Sequence, residues 1–234
     1  MQGVFITGTS TGVGKTVVTA GLTLLLARKG LDVVACKPFA SSDRPFSKRF
    51  NSEDTALLAK ASGSAETDRV LNPSYYPLGA SPYMASRVLG MKAPSLEIVC
   101  KSTLALAAKH DFAVVEGIGG IMVPITRRKT LADFVKRLGL PVIIVTTPFL
   151  GSLNHTLLTI MACRAYHIKI LGIVVNMMPL RPSIVEREAP RCIEELSGIE
   201  VIATLQKKHR LDLAEVANSL QKSVKPGFLP VDQL

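Results

Sequence analysis

The chain has 234 residues, of which 47% are hydrophobic and 20% are charged, and its formal net charge is +10. Such a chain can bury a sizeable core in one domain. No apolar stretch reaches the roughly 18 residues that a membrane-spanning helix needs, so we expect no membrane partner. The cysteines lie far apart without a Cys-x-x-Cys pair, which argues against a zinc site or a disulfide framework.

The positive charge is spread in small groups, such as residues 48–49 and 127–129. These groups lack the interleaved aromatic residues of a surface that binds single-stranded nucleic acid. We therefore interpret them as solvated surface that attracts anionic substrates, and we expect no nucleic-acid partner. No basic segment precedes the first apolar run, so we also expect no signal peptide and a cytoplasmic protein.

The first predicted strand covers residues 4–7 and is followed by the glycine-rich segment Gly8-Thr9-Ser10-Thr11-Gly12-Val13-Gly14-Lys15-Thr16. The last two residues of this segment begin a predicted helix over 15–28. Glycines and the free N–H groups of a helix start can surround phosphate oxygens. Lys15 adds a positive charge, and the Thr16 hydroxyl can bind Mg2+. The segment predicts a site for a nucleoside triphosphate. Its predicted binding residues are Gly12, Val13, Gly14, Lys15 and Thr16.

The rest of the chain alternates between apolar runs and segments of helical periodicity. The later predicted strands are 32–36, 112–115, 142–146, 170–175 and 200–203, and the later predicted helices are 52–61, 82–89, 95–110, 131–137, 154–166 and 184–196. Continuous β-branched runs are typical of parallel strands that are buried on both faces. The pattern predicts an α/β fold of the P-loop NTPase type, a doubly wound, mainly parallel sheet of six or seven strands with helices on both faces. We expect one domain over residues 1–225 and a C-terminal tail over 226–234.

Three charged side chains are expected near the phosphate loop. Lys37 follows the second predicted strand, Glu116 follows the third, and Asp54 lies at a predicted helix start. Ligands bind outside the carboxyl ends of parallel strands, so Lys37 can supply a second cation for phosphoryl transfer and Glu116 can hold Mg2+ directly or through water. For Asp54 the alternative is an acid that only stabilises the first turn of its helix.

A series of motifs resembles the dethiobiotin synthetase family. In order they are the phosphate loop, Lys37-Pro38 with Ser41, Asn51-Ser52 with Asp54, Glu116-Gly117 with Gly119-Gly120, and Gly151-Ser152-Leu153-Asn154-His155. The loop alone would indicate only a broad class of NTPases, whereas the ordered series is far more specific. The chain departs from the family pattern at Ser10, where the family usually has an aspartate.

The resemblance implies an ATP-dependent ring closure in biotin synthesis. In that reaction 7,8-diaminononanoate, CO2 and ATP give dethiobiotin, ADP and phosphate through a carbamate and its anhydride with phosphoric acid. The resemblance assigns Lys15, Lys37 and Thr11 to catalysis. It assigns Mg2+ to Thr16, Asp54 and Glu116.

The remaining assignments that the resemblance implies concern the substrate and the nucleotide base. Ser41, together with Thr11, would contact the carbamate and the diamine. Family members are homodimers, and the turn of Gly151, Ser152, Leu153 and Asn154 would hold the carboxylate end of the diamine near the subunit boundary. Asn176 matches an asparagine that reads the base. An asparagine that merely ends a strand in a turn is the alternative interpretation.

Two other functions share such a phosphate loop. Cobyrinate-type amide synthases usually carry a glutamine-hydrolysing domain, for which this chain has neither spare length nor an evident Cys–His arrangement. Nucleotide-switched partitioning ATPases typically carry an additional lysine early in the loop, where this chain has Thr9 and Ser10. The ring-forming ligase is the favoured hypothesis.

Overall fold

The computed structural model describes residues 2–207 and 210–224, and its central feature is a six-stranded parallel sheet. The strands follow the chain as β1 (Gly3–Gly8), β2 (Val33–Cys36), β3 (Phe39–Ser41), β4 (Ser74–Tyr76), β5 (Phe112–Gly120), β6 (Val142–Thr146), β7 (Ile170–Met178) and β8 (Val201–Gln206). The main sheet has the order β2-β5-β1-β6-β7-β8, while β3 and β4 form a separate parallel pair.

Helices connect the strands and cover both faces of the sheet. They are α1 (Lys15–Arg28), α2 (Glu53–Ser62), α3 (Asp68–Leu71), α4 (Pro82–Val88), α5 (Leu96–Ala107), α6 (Leu131–Leu138), α7 (Ser152–Ala165), α8 (Ile184–Ser197) and α9 (Leu213–Ser223). None of them, in the part of the chain that the structure describes, is long and apolar enough to cross a bilayer.

The apolar core forms two layers because successive side chains of a strand point to opposite faces. In β1, Phe5 packs in one layer with residues of α5 to α8, and Val4 and Ile6 pack in the other layer with α1 and α9. Phe134 of α6 is fully buried and meets the rings of Phe5 and Phe39 edge to face. Phe39 belongs to β3, so this aromatic contact ties the small sheet to the main one.

The predicted fold class is confirmed, including the parallel sheet and the helices on both faces. All six predicted strands are present, and β5 and β7 run beyond their predicted ends, to Gly120 and Met178. The strands β3 and β4 and the helices α3 and α9 were not predicted. Segments as short as β3, β4 and α3 are too brief to show a period. The tail predicted over 226–234 lies outside the described residues, and the single-domain assignment stays a prediction.

The aromatic contact generates a test of the core. We expect Phe134→Ala to lower the free energy of unfolding by about 3–5 kcal/mol, because it leaves a cavity between two buried rings. Denaturant-induced unfolding measures this loss. Ile98 on α5 is 64% exposed, so Ile98→Ala serves as the control and should change stability by less than about 0.5 kcal/mol. Equal losses in the two variants would contradict this packing.

Candidate functional site

The strand order brings three separate parts of the sequence to one edge of the sheet. β5 lies between β1 and β2, and Glu116 pairs in register with Ile6 of β1. The phosphate loop leaves the carboxyl end of β1, and Lys37 directly follows the carboxyl end of β2. Because all three strands are parallel, these groups meet at the carboxyl ends of the strands, which is where such sheets bind ligands.

The charged groups form one connected network. The Lys37 Nζ donates to Glu116 Oε1 at 2.8 Å and also to Asp54 Oδ2. The Thr16 Oγ1 lies 2.9 Å from both Asp54 Oδ1 and Glu116 Oε1. A hydroxyl carries one proton, so Thr16 can donate to only one of these oxygens at a time. The structure therefore brings Thr16, Lys37, Asp54 and Glu116 into direct contact.

Burial and charge act in opposite directions on Lys37 and Asp54. Burial lowers the pKa of Lys37, but Glu116 and Asp54 outweigh burial and raise this pKa to about 12. Burial would raise the pKa of Asp54, yet the charge and hydrogen bond of Lys37 and the hydrogen bond of Thr16 hold it below its usual value. Both groups are therefore charged at neutral pH, and each keeps the other charged.

Lys15 is the second cation of the site, and it is held differently. Its Nζ donates to the backbone carbonyl of Ser10 at 3.0 Å, within the phosphate loop itself. Burial lowers the pKa of Lys15 to about 8, and the nearby charge of Glu116 only partly opposes this effect. A bound polyphosphate would favour the charged form of Lys15.

A cavity of about 660 Å³ opens over this network. Its walls include nine residues to which the sequence analysis assigned a binding or catalytic role, namely Thr11, Gly12, Gly14, Lys15, Thr16, Lys37, Ser41, Asp54 and Glu116. Such a volume is typical of a small-molecule site. The cavity therefore places the phosphate loop, the two lysines and the two acids around one space.

The residues fit a magnesium ion that is held jointly with phosphate oxygens. Glu116 is 1% exposed, and its Oε2 is buried without a hydrogen-bond partner among the described residues. In the described residues no cluster of three or more His, Cys, Asp or Glu side chains is suited to a metal. Mg2+ at phosphate sites usually takes only one or two carboxylates, with waters and phosphates completing its shell. A hydroxyl, two carboxylates and a phosphate loop match that donor set.

Val13 and Asn176 lie behind the loop and do not line this cavity. The Asn176 Nδ2 donates to the Val13 carbonyl at 3.0 Å, so its amide supports the phosphate loop from the carboxyl end of β7. Gly14 has φ +87°, and a Cβ added there would collide with this same Nδ2. Met177, which follows Asn176, has φ +62°, and β7 continues through both residues to Met178.

The turn at residues 151–154 begins α7, two residues earlier than the sequence predicted. Gly151 has φ +88°, Ser152 Oγ lies 2.7 Å from Thr147 Oγ1, Leu153 is half-buried, and Asn154 is exposed. None of these residues lines the main cavity. A second cavity of about 460 Å³ lies between the phosphate loop and the next turns of α7.

Sequence reasoning missed two parts of the site. Residues 79–81 line the cavity just before α4, and only the Ser81-Pro82 pair, typical of a helix start, marks that place. Asp68 accepts hydrogen bonds from the backbone and side-chain nitrogens of Asn51, and this contact fixes the chain just before the helix that carries Asp54. Burial raises the pKa of Asp68, although the two hydrogen bonds from Asn51 act to lower it. Nothing in the sequence marked this pair.

Comparisons with known proteins agree on a family and on a fold. A family model described as an AAA domain matches residues 2–215. The chain is 37% identical to the ATP-dependent dethiobiotin synthetase BioD of Nitrosopumilus maritimus, over 88% of this chain and 89% of that protein. It is 35% identical to the protein of the same name from Bacillus subtilis (strain 168), over 98% of this chain and 97% of the relative.

Solved structures with a similar fold are more distant in sequence. The MinC:MinD cell division complex of Aquifex aeolicus matches with a TM-score of 0.62 and 17% identity, over 95% of this chain and 94% of that chain. MinD of Pyrococcus horikoshii in complex with Mg-ADP matches with a TM-score of 0.59 and 18% identity, over 94% of this chain and 93% of that chain. At this identity the likeness concerns the fold alone.

The close approach of Asn176 to Gly14 predicts that the phosphate loop tolerates no side chain at residue 14. We expect Gly14→Ala to weaken the binding of an ATP analogue by at least about tenfold more than Gly12→Ala does. Gly12 also has a positive φ, +79°, but a Cβ there meets no atom of the described chain within 4 Å. Fluorescence titration gives the two affinities, and thermal unfolding verifies that both variants fold. Equal losses would show that the collision with Asn176 has no effect.

The low pKa of Lys15 generates a pH prediction. Lys15 is charged below about pH 8 and loses its proton above it, so the affinity for an ATP analogue should fall as pH rises from 7 to 9.5. The steepest expected slope is about tenfold per pH unit. Binding titrations across this range measure it, with Lys15→Arg as a control that stays charged. A flat profile in the unaltered protein would contradict the assignment.

Proposed function

The chain belongs to the family of ATP-dependent dethiobiotin synthetases, and we propose that it forms dethiobiotin from 7,8-diaminononanoate and CO2 with the hydrolysis of ATP to ADP and phosphate. As a member of that family it is an ATP-dependent ligase. The observation that carries the proposal is the meeting of Lys15, Lys37, Asp54 and Glu116 around one cavity at the phosphate loop.

The proposed reaction has three bond-forming steps. One amine of the diamine adds to CO2 and releases a proton, which gives a carbamate. A carbamate oxygen attacks the γ-phosphorus of ATP, the bond from that phosphorus to the bridging oxygen breaks, and ADP leaves. The second amine then attacks the carbonyl carbon of the mixed anhydride, phosphate leaves, a proton is released, and the ureido ring closes.

The residues of the chain would contribute mainly positioning and charge, as is usual in phosphoryl transfer. Lys15 would neutralise the terminal phosphates in the loop, and Lys37 would stabilise the charge on the transferred group and on the carbamate. Thr11 and Ser41 line the same cavity, where their hydroxyls would hydrogen-bond the carbamate and the diamine. Asn176 would act on the nucleotide side, near the base.

A magnesium ion completes the proposed site. Thr16, Asp54 and Glu116 would hold it, directly or through water. Bound there, it would neutralise charge on the β- and γ-phosphate oxygens. Thr16 sits at the second position of α1 and Glu116 within β5, so both side chains are fixed by elements buried in the core.

The proposed enzyme works as a homodimer in the cytoplasm. Leu150 is fully exposed, and Leu158 and Met161, three positions apart and so on one face of α7, are more than half exposed. Large exposed apolar side chains that lie together are typical of protein interfaces. In such a dimer, Gly151, Ser152, Leu153 and Asn154 would hold the carboxylate end of a diamine near the partner subunit.

A nucleotide-switched ATPase is the main competing function, because such proteins share a phosphate loop of this kind. One assay separates the two. Purified protein is incubated with labelled bicarbonate, the diamine and MgATP, and we expect a labelled, acid-stable ureido product with one ADP for each product molecule. ATP hydrolysis that neither requires the diamine nor yields this product would refute the proposed ligase and favour the switch.

Lys37 provides the sharpest test of a single role. We expect Lys37→Gln to reduce kcat by about a thousandfold or more, because it removes a cation that stabilises the transferred phosphoryl group. Product formation measures the loss, and circular dichroism tests whether the fold is kept. Lys101→Ala, at an exposed position on α5, should turn over normally. Normal turnover by Lys37→Gln would show that the catalytic cation is elsewhere.

A further inference from the structure

The ammonium group of Lys37 sits among the oxygens that are proposed to hold the metal. Its Nζ contacts Asp54 Oδ2 and Glu116 Oε1, and the Thr16 hydroxyl contacts the other Asp54 oxygen and the same Glu116 oxygen. The four side chains therefore close a ring of contacts. Together these side chains carry one positive charge, on Lys37, and two negative charges, on Asp54 and Glu116.

A divalent cation and the ammonium group of Lys37 would compete for these two acids. Like charges a few ångströms apart repel strongly in a site of low dielectric constant, and Glu116 Oε1 already accepts contacts from both Lys37 and Thr16. Glu116 Oε2 has no hydrogen-bond partner among the described residues, so a metal ion can reach Glu116 there, and its charge would then repel the Lys37 ammonium group on the other oxygen of the same carboxylate. The side chain of Lys37 also lines the open cavity, so the repelled ammonium group can move into that space.

We propose that Lys37 is an internal placeholder for the divalent cation, and that the arrival of the metal with the triphosphate moves its ammonium group into the cavity, beside the reacting groups. This inference rests on the proposed function for the identity of the metal ligands. The inference links metal binding to catalysis. Lys37 becomes available for phosphoryl transfer only after the metal ion has bound the two acids. The inference also implies that free metal binds weakly in the absence of nucleotide.

Lys15 offers a matched comparison inside the same site. It carries the same charge and interacts through space with both acids, but its ammonium group donates to the Ser10 carbonyl and contacts neither carboxylate. Removing the charge of Lys15 tests the general electrostatic effect of one lost cation. Removing the charge of Lys37 tests that effect together with direct competition for the oxygens.

The experiment titrates nucleotide-free protein with Mn2+ as the probe and follows the free ion by electron paramagnetic resonance. We expect Lys37→Gln and Lys37→Met to bind Mn2+ at least about tenfold more tightly than the unaltered protein does. Lys15→Gln should give a much smaller gain. Adding Glu116→Gln to Lys37→Gln should abolish the gain, which identifies the site. Equal gains in the Lys37 and Lys15 variants, or no gain in the Lys37 variants, would overturn the proposal.

A second measurement on the unaltered protein does not depend on how the variants fold. Lys37 is treated with an amine-acetylating reagent, without nucleotide, before and after the addition of enough Mn2+ to occupy the titrated site. We expect mass spectrometry to show that the metal makes Lys37 more reactive, because its ammonium group moves from the buried acids into the open cavity, where the reagent can reach it. Unchanged labelling of Lys37 with the metal bound would overturn the proposal. Neither measurement uses the diamine, so a failure of the proposed reaction would appear separately, in the product assay.

Discussion

The site depends on the buried contact of Lys37 with Asp54 and Glu116. Glu116 is almost completely buried within β5, where an isolated carboxylate would be strongly unfavourable. The ammonium group of Lys37 supplies the missing charge, and the Thr16 hydroxyl adds a hydrogen bond. Removing one partner of such a buried pair leaves the other uncompensated. The arrangement is therefore complete only with a cation between the acids, whether the lysine or a metal ion.

The parallel sheet is what brings these charges together. Residues far apart in sequence, at the ends of β1 and β2 and within β5, become neighbours because β5 pairs with both other strands. The aromatic contact of Phe134 with Phe39 holds the small β3–β4 sheet against the core, and β3 ends at Ser41 on the cavity wall. The hydrogen bonds from Asn51 to Asp68 fix the start of α2, and so the position of Asp54.

Much of this arrangement could be predicted from local sequence. The apolar runs gave the six main strands, the glycine-rich loop marked the phosphate site, and the placement of Lys37 and Glu116 after successive strands indicated a shared edge. The partners made through tertiary contact could not be predicted. No local pattern specifies that Asn176 supports Val13 or that Asp68 holds Asn51. The two- and three-residue features around the cavity, such as residues 79–81, are too short to carry a periodic signal.

The central claim is that one phosphate loop, two lysines and two acids surround a metal-bound triphosphate. A crystal structure with Mg2+ and a non-hydrolysable ATP analogue tests it most directly. The account predicts the phosphates in the loop beside Lys15, with one metal ion about 2.0–2.1 Å from the Thr16 hydroxyl oxygen and contacting Asp54 and Glu116 directly or through water. Phosphates bound outside the loop, or a metal ion that contacts neither acid in either way, would contradict it.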